Sequence, residues 1–174
     1  MENIDALINK ISYEIVSEKI LSETEINKLL SVLSNHGVYA MWVYALDKIG
    51  ITFYEEADKL KNQKIFLFLS KISELDQFIT KNFNFEKFIN EICKLTEEIN
   101  KLTKEIKLLK ENLNNKLEKQ QKEKKLKEKE KERIDKFNEY FINISQDLHK
   151  LLFLKQLLEK ILIYARYHAK SLSD

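Results

Sequence analysis

Apolar residues recur every three or four positions through the first part of the chain, and this period predicts helices that pack on one another. A first helix is predicted from Asn3 to Leu21. Its buried face comprises Ile4, Leu7, Ile8, Ile11 and Ile15. Ser22-Glu23-Thr24-Glu25 has the form of a capping box and predicts the start of a second helix. That helix buries Ile26, Leu29, Leu30 and Leu33.

A third helix, from Val38 to Ile49, is apolar nearly all round, which predicts the central helix of a bundle. Gly50 ends it. Thr52-Phe53-Tyr54-Glu55 resembles a second capping box, so a fourth helix is predicted to run through Ala57 and Leu60 toward Leu69. A fifth is predicted around Ser73 to Thr80.

The stretch from Leu29 to Leu46 contains no Asp, Glu, Lys or Arg, and its length is near the minimum for a membrane span. At its centre lies Ser34-Asn35-His36-Gly37, whose residues suit a helix end because Gly37 can adopt the left-handed conformation. Two packed helices are therefore favoured over one spanning helix.

From Ile92 the pattern changes to a heptad repeat. Position a is occupied by Ile92, Ile99, Ile106 and Leu113, and position d by Leu95, Leu102 and Leu109. The apolar seam fails at Lys116 and across residues 119–133, which are rich in Lys and Glu. It resumes at Ile134, Phe137, Phe141 and Ile144. This predicts an antiparallel hairpin with a charged tip, in which Ile106 pairs with Phe141; the alternative is a parallel dimer through the first seam.

The last helix is predicted from Ser145, as the N-cap, to Leu172. Its buried residues are Leu148, Leu151, Leu152, Leu158, Leu162 and Ala165. The fold class that follows is all-α: a small helical bundle with a protruding antiparallel coiled-coil hairpin. The predicted divisions are an N-terminal bundle (1–85), a hairpin (86–144, charged tip around 116–133) and a C-terminal helix (145–174) that returns to the bundle.

Composition supports this class, because the chain has no proline and only two glycines in 174 residues. A net charge of +2 provides no global field toward nucleic acid or membrane, so any basic site must be local. One cysteine, Cys93, cannot form an internal disulfide, which fits a reducing cytoplasm. The N-terminus lacks the basic region of a signal peptide.

Catalytic groups with convergent spacing are not visible. His36, His149 and His168 have no second His or Cys three or four residues away, so no helix-borne metal pair is expected. Cys93 lacks an adjacent activating group, and two isolated glycines cannot build a phosphate loop. No enzyme activity, cofactor, metal or small-molecule substrate is expected.

Basic residues offer two candidate sites. Residues 119–133 form the denser cluster, but the interleaved glutamates favour ion pairs and a solvated spacer. Near the C-terminus, Arg166 and Lys170 lie four apart beside Tyr167. These two basic residues could interact favourably with the helix dipole while their aliphatic stems lie along apolar surface. Alternatively, they could bind an RNA backbone beside an aromatic ring on which a nucleobase stacks.

Two segments resemble one known family. The first runs from Leu30 to Ala40, with Asn35-His36-Gly37 at its centre, and continues to Leu46-Asp47-Lys48. The second opens at Ser145 and closes with Tyr164-Ala165-Arg166-Tyr167-His168-Ala169-Lys170. Both resemble the small all-helical subunit of type III-B CRISPR effector complexes, the Cmr small subunit, with the type III-A small subunit as a close alternative. His36 interrupts the family's Asn-Gly adjacency, and the heptad hairpin is longer than its core.

This resemblance implies a non-catalytic subunit that lines the effector filament, packs against the repeated backbone subunits and contacts guide or target RNA. The positions that match the family's basic sites are Lys48, Arg166 and Lys170. The alternative function is a coiled-coil adaptor or tethering protein in which the hairpin binds the partner and RNA plays no role.

Overall fold

The computed structural model describes residues 3–109 and 116–173, and the regular structure in these residues is helical throughout. The all-α prediction is confirmed. The helices are α1 (Ile4–Ser17), α2 (Glu23–His36), α3 (Val38–Ile49), α4 (Ala57–Lys61), α5 (Lys64–Leu75), α6 (Phe85–Leu109), α7 (Lys116–Ser145) and α8 (Leu148–Leu172), with a 3-10 turn at Asp76–Phe78.

The chain divides into two compact units. Of the described residues, the first unit holds 3–51, 61–85 and 141–173, and the second holds 52–60, 86–109 and 116–140. The short segment Thr52–Leu60 thus belongs to the unit built by α6 and most of α7, although the sequence suggested that it continues the N-terminal bundle.

Polar side chains and the two glycines set the ends of the first helices. The Asn3 side chain accepts a hydrogen bond from the Asp5 backbone N–H (3.0 Å) and caps α1. The predicted capping box of α2, between Ser22 and Glu25, is present in full. Gly37 lies between α2 and α3 with φ +90°, so the prediction of two helices in this apolar stretch is confirmed.

The central helix of the first unit is α8, which packs against α1, α2, α3 and α5. The prediction that α3 is central was wrong. One face of α3 is buried and includes Trp42, whose ring stacks on Phe141 at 4.6 Å between centroids. Its opposite face leaves Tyr39 and Val43 exposed, because the neighbouring helices cover only one side.

The start of α8 differs from the prediction. Its N-cap is Asp147, whose carboxylate accepts the Lys150 backbone N–H (3.2 Å), and Ser145 is instead the last residue of α7. Leu148 and Leu152, predicted as buried, are 63% and 47% exposed. At 25 residues, α8 is longer than the 14-residue α2.

Leu148 and Leu152 are exposed because α2 ends near the level of Lys155 on α8. The Lys155 ammonium reaches the Ser34 carbonyl oxygen (3.4 Å) near the C-terminal end of α2. Residues of α8 before this level therefore lie past the end of α2. Leu151, also predicted as buried, is half-buried there. The buried residues of α8 are Leu154, Leu157, Leu158, Ile161, Leu162 and Ala165.

In the second unit α6 and α7 run antiparallel, and the ion pairs between them show which residues lie opposite each other. The ammonium-to-carboxylate distances are 2.8 Å for Lys122–Glu105, 3.0 Å for Lys129–Glu98 and 2.7 Å for Lys136–Glu91. From one pair to the next, the lysine moves seven residues forward on α7 and the glutamate moves seven residues back on α6. This is the spacing of two heptad helices that run in opposite directions.

This register overturns two predictions. Ile106 lies next to Glu105 and therefore opposite the first turns of α7, so it does not pair with Phe141, which instead stacks on Trp42. Residues 116–133 belong to α7 and do not form a charged tip. The physical reason is that a lysine-rich helix without an apolar seam can still pair with the glutamates of α6. Leu113, a predicted seam residue, lies outside the described residues.

The predicted seam of α6 is mostly buried, whereas that of α7 is only partly so. Ile92, Leu95, Ile99, Leu102 and Ile106 are buried, and Leu109 is half-buried. On α7, Phe137 and Phe141 are buried but Ile134 is 57% exposed. Its neighbour Arg133 faces α6 in its place and donates from Nη1 to the Thr96 hydroxyl oxygen (3.1 Å).

Thr52–Leu60 does not open a long helix, so the second predicted capping box was wrong. Only the short α4 forms before α5 begins separately at Lys64. The Phe53 ring lies 3.6 Å from the guanidinium carbon of Arg133 and meets the ring of Phe137 edge-on at 6.1 Å. These contacts hold Phe53 against α7 in the second unit.

The predicted fifth helix around Ser73 to Thr80 was also wrong, because α5 already ends at Leu75. The buried carboxylate of Asp76 accepts hydrogen bonds from the Thr80 hydroxyl (2.7 Å) and from the backbone N–H groups of Asn82 (3.1 Å) and Phe83 (3.0 Å). An acceptor that gathers donors from the following residues stabilises a turn and competes with helix continuation.

Candidate nucleic-acid interface

The three basic residues that the sequence singled out all lie in the first unit. Lys48 is in the last turn of α3, and Arg166 and Lys170 are one turn apart near the end of α8. No hydrogen bond or ion pair among the described residues joins Lys48 to either of the other two. The structure therefore pairs Arg166 with Lys170 on one helix and gives Lys48 a separate environment.

The charge of Lys48 is compensated locally. Its ammonium lies 3.0 Å from the Asp47 carboxylate. The hydrogen bond to Asp47, and then the negative charge of that group, raise the pKa of Lys48 above its usual value. Both side chains are exposed, so this pair can open to admit another anion at little cost.

Arg166 and Lys170 carry charge that no acidic side chain in the described part of the chain compensates. Lys170 is exposed in the last turn of α8, where a cation also interacts favourably with the helix dipole. Arg166 is half-buried: its Nε is covered and has no hydrogen-bond partner within the described residues. The guanidinium carbon lies 5.5 Å from the centre of the Tyr167 ring. A covered stem with a charged end suits an anion site.

Exposed aromatic side chains lie at the same end of α8 as Arg166 and Lys170. Tyr164 and Tyr167 are 40% and 59% exposed, and on a helix residues 164, 167 and 168 share one face. On α1, which packs against α8, Tyr13 is 51% exposed and meets the His168 ring edge-on at 5.6 Å. Sequence reasoning missed Tyr13, because nothing in the spacing of α1 indicates which residue of α8 it meets.

The lysine-rich helix α7 has a different electrostatic character. Lys122, Lys129 and Lys136 pair with glutamates of α6. Hydrogen bonds to Glu105 and Glu98 raise the pKa of Lys122 and Lys129, and the Lys122 hydrogen bond lowers the pKa of Glu105. The pKa of Lys136 is raised by hydrogen bonds to Glu139 on α7 and to Glu91 on α6. The outer lysines, such as Lys124 and Lys131, alternate with Glu123, Glu128, Glu130 and Glu132. An RNA strand along α7 would therefore meet both signs of charge.

Other chemistry has little support in the described residues. No group of three or more His, Cys, Asp or Glu side chains among them could hold a metal ion. Cys93 is buried, whereas a reactive thiolate is expected to be accessible. None of the helices in residues 3–109 and 116–173 is both long and apolar enough to cross a membrane.

Comparison with known proteins does not add a function. The chain matches no known family, and comparisons with curated proteins and with solved structures likewise give no match.

Proposed function

We propose that this chain is a non-catalytic, RNA-associated helical subunit of a larger complex in the cytoplasm. The observation that carries the proposal is the end of α8, where Arg166 and Lys170 have no acidic partner in the described part of the chain. The same end of the helix exposes Tyr164 and Tyr167, and the Arg166 guanidinium lies near the Tyr167 ring. Cations bind the phosphates, and aromatic rings bind the bases of an unpaired strand. Lys48, whose ion pair with Asp47 is exposed, is a third candidate contact.

The more specific form of the proposal is a small subunit of a type III CRISPR effector complex, type III-B or type III-A, that functions in antiviral interference. It rests on the resemblance of residues 30–48 and 145–172, and comparison with known proteins lends it no support. In such a complex the chain would pack against the repeated backbone subunits and contact guide or target RNA.

Weak binding by the single chain is part of this proposal. Two or three phosphate contacts give low, salt-sensitive affinity, and arraying several copies along one RNA raises the effective affinity without any new contact. The proposed subunit therefore contributes to RNA retention mainly within the assembled complex.

Co-expression with type III backbone subunits and guide RNA tests the subunit assignment. We expect the chain to co-purify with them, and charge reversal at Arg166 and Lys170 to leave this association intact while reducing target-RNA retention. Lys124→Glu with Lys131→Glu is a matched control, because it reverses two charges at exposed positions of α7. Failure of the wild-type chain to associate would remove the CRISPR assignment.

A coiled-coil adaptor is the second candidate, and one observation favours it. Leu108, Leu117 and Ile134, all in the second unit, are 69%, 71% and 57% exposed. Exposed aliphatic side chains on paired helices can bind an apolar face of a partner protein. If RNA binding is absent and substitution of these three residues by Ser abolishes a protein interaction, the adaptor function replaces the RNA function.

A further inference from the structure

A cluster of aromatic rings lies at the end of α8, formed by Tyr13, Tyr164, Tyr167 and His168; we call it the aromatic cluster. Three of its members belong to one helical face, and Tyr13 joins them through its edge-on contact with His168. The three tyrosines are exposed by 40% to 59%. All four residues lie in the first unit.

The core does not require these rings. The buried face of α8 is supplied by Leu154, Leu157, Leu158, Ile161, Leu162 and Ala165. A position that only needs to be solvated is usually occupied by a polar side chain, whereas this end of the helix presents several large rings to water. The rings are therefore available to a ligand with flat apolar faces.

The charges beside the aromatic cluster indicate what else that ligand carries. Arg166 lies near the Tyr167 ring, and Lys170 follows Arg166 by one helical turn. Neither Arg166 nor Lys170 has an acidic partner within the described residues. The ligand that complements this surface therefore combines flat rings with negative charge.

We propose that the aromatic cluster binds unpaired RNA, with bases stacked on Tyr164 and Tyr167 and phosphates held by Arg166 and Lys170. This inference rests on the proposed function and specifies the form of RNA that is bound. Bases within a duplex already stack on one another and cannot offer their faces, whereas those of an unpaired strand can turn onto aromatic side chains. The surface should therefore prefer an unpaired strand to a duplex.

Fluorescence anisotropy with the full chain in excess, at low salt, tests the preference. The probes are a labelled unpaired RNA of mixed sequence and a duplex of the same length. We expect weak but measurable binding of the unpaired strand and weaker binding of the duplex. Replacing Tyr164 and Tyr167 together by Ala should weaken binding of the unpaired strand by about fivefold or more.

Three controls separate stacking from charge and from misfolding. The Tyr164→Phe and Tyr167→Phe pair keeps both rings and should retain wild-type affinity. Tyr39→Ala removes another exposed tyrosine of the same unit, on α3, and should have no effect. The Ala pair should leave the salt dependence unchanged, because it removes no phosphate contact. Circular dichroism of each variant verifies that the helices are intact.

The outcomes distinguish this inference from the function on which it rests. If charge reversal at Arg166 and Lys170 weakens binding but the Ala pair does not, the RNA function stands and base stacking is wrong. Equal affinity for duplex and unpaired strand also overturns the inference. No binding of either RNA by the wild-type chain overturns both proposals.

Discussion

Gly37 is the residue that divides the longest uncharged stretch of the chain into two helices. Its φ of +90° and ψ of −177° lie in a region that essentially only glycine adopts. A Cβ built there would meet nothing within 4 Å, so the requirement comes from the backbone conformation and not from lack of space.

We therefore expect Gly37→Ala to lower the free energy of unfolding by about 1–3 kcal/mol, measured by urea denaturation. Ser31→Ala, at an exposed position of α2, is the control and should change stability by no more than about 0.5 kcal/mol. A stable Gly37→Ala variant would mean that the break between the helices does not need a positive φ.

Glu25 combines two roles at the start of α2. Its carboxylate accepts the Ser22 backbone N–H (2.7 Å) and binds the Lys64 ammonium (2.7 Å). Burial alone would raise the pKa of this carboxyl, but the hydrogen bonds from Lys64 and Ser22 outweigh burial and lower the pKa below its usual value.

A carboxyl with a lowered pKa stabilises the fold above its unfolded pKa, and this stabilisation is lost as the pH falls through the folded pKa. The stability difference between wild type and Glu25→Gln should thus be largest near neutral pH and shrink below about pH 4.5. Glu23→Gln is a matched control, since Glu23 shares the first turn but has no ion pair in the described part of the chain. Parallel pH profiles for the two variants would contradict this role.

Among the elements, the pairing of α6 with α7 shows that the period of apolar residues predicts helices and buried positions but not which residues of two helices lie opposite each other. Heptad spacing marked α6, with most of its buried residues, but only the part of α7 from Ile134 onward. It placed Ile134 in the seam and Ile106 opposite Phe141, both wrongly. The register is the set of residues that lie opposite each other, such as Lys129 and Glu98, and the spacing of apolar residues within each helix does not specify it.

Two isoleucines from the same heptad pattern test this arrangement. Ile106 is 7% exposed and Ile134 is 57% exposed. Ile106→Asp should destabilise the second unit by several kcal/mol, because it buries an unpaired charge, whereas Ile134→Asp should cost no more than about 0.5 kcal/mol. Thermal and urea unfolding of both variants provide the comparison. Equal losses would mean that Ile134 also lies in the seam.

The candidate site was predictable only in part, for a related reason. Arg166, Tyr167 and Lys170 share one helix, so their proximity follows from helical geometry. The contact of Tyr13 with His168 requires the packing of α1 on α8, which a single sequence does not reveal. Likewise, the exposure of Leu148 depends on where α2 ends relative to α8.

For the molecule as a whole, the net charge of +2 conceals an uneven distribution of positive charge. Much of the basic character of α7 is offset by glutamates, both across to α6 and along the helix itself. At the end of α8, by contrast, positive charge and exposed rings coincide. The density of lysines in the sequence therefore points to α7 as the RNA-binding surface. The lack of acidic partners for Arg166 and Lys170 among the described residues instead favours the end of α8.

The salt dependence of RNA binding shows whether RNA binds at the end of α8 or along α7. Two double variants are compared, and each removes two positive charges. We expect Arg166→Gln with Lys170→Gln to weaken binding of unpaired RNA and to reduce the slope of log affinity against log salt by about 1.4. Lys124→Gln with Lys131→Gln, on exposed positions of α7, should leave both affinity and slope unchanged. The opposite result, with the slope reduced only by the α7 pair, would contradict the account.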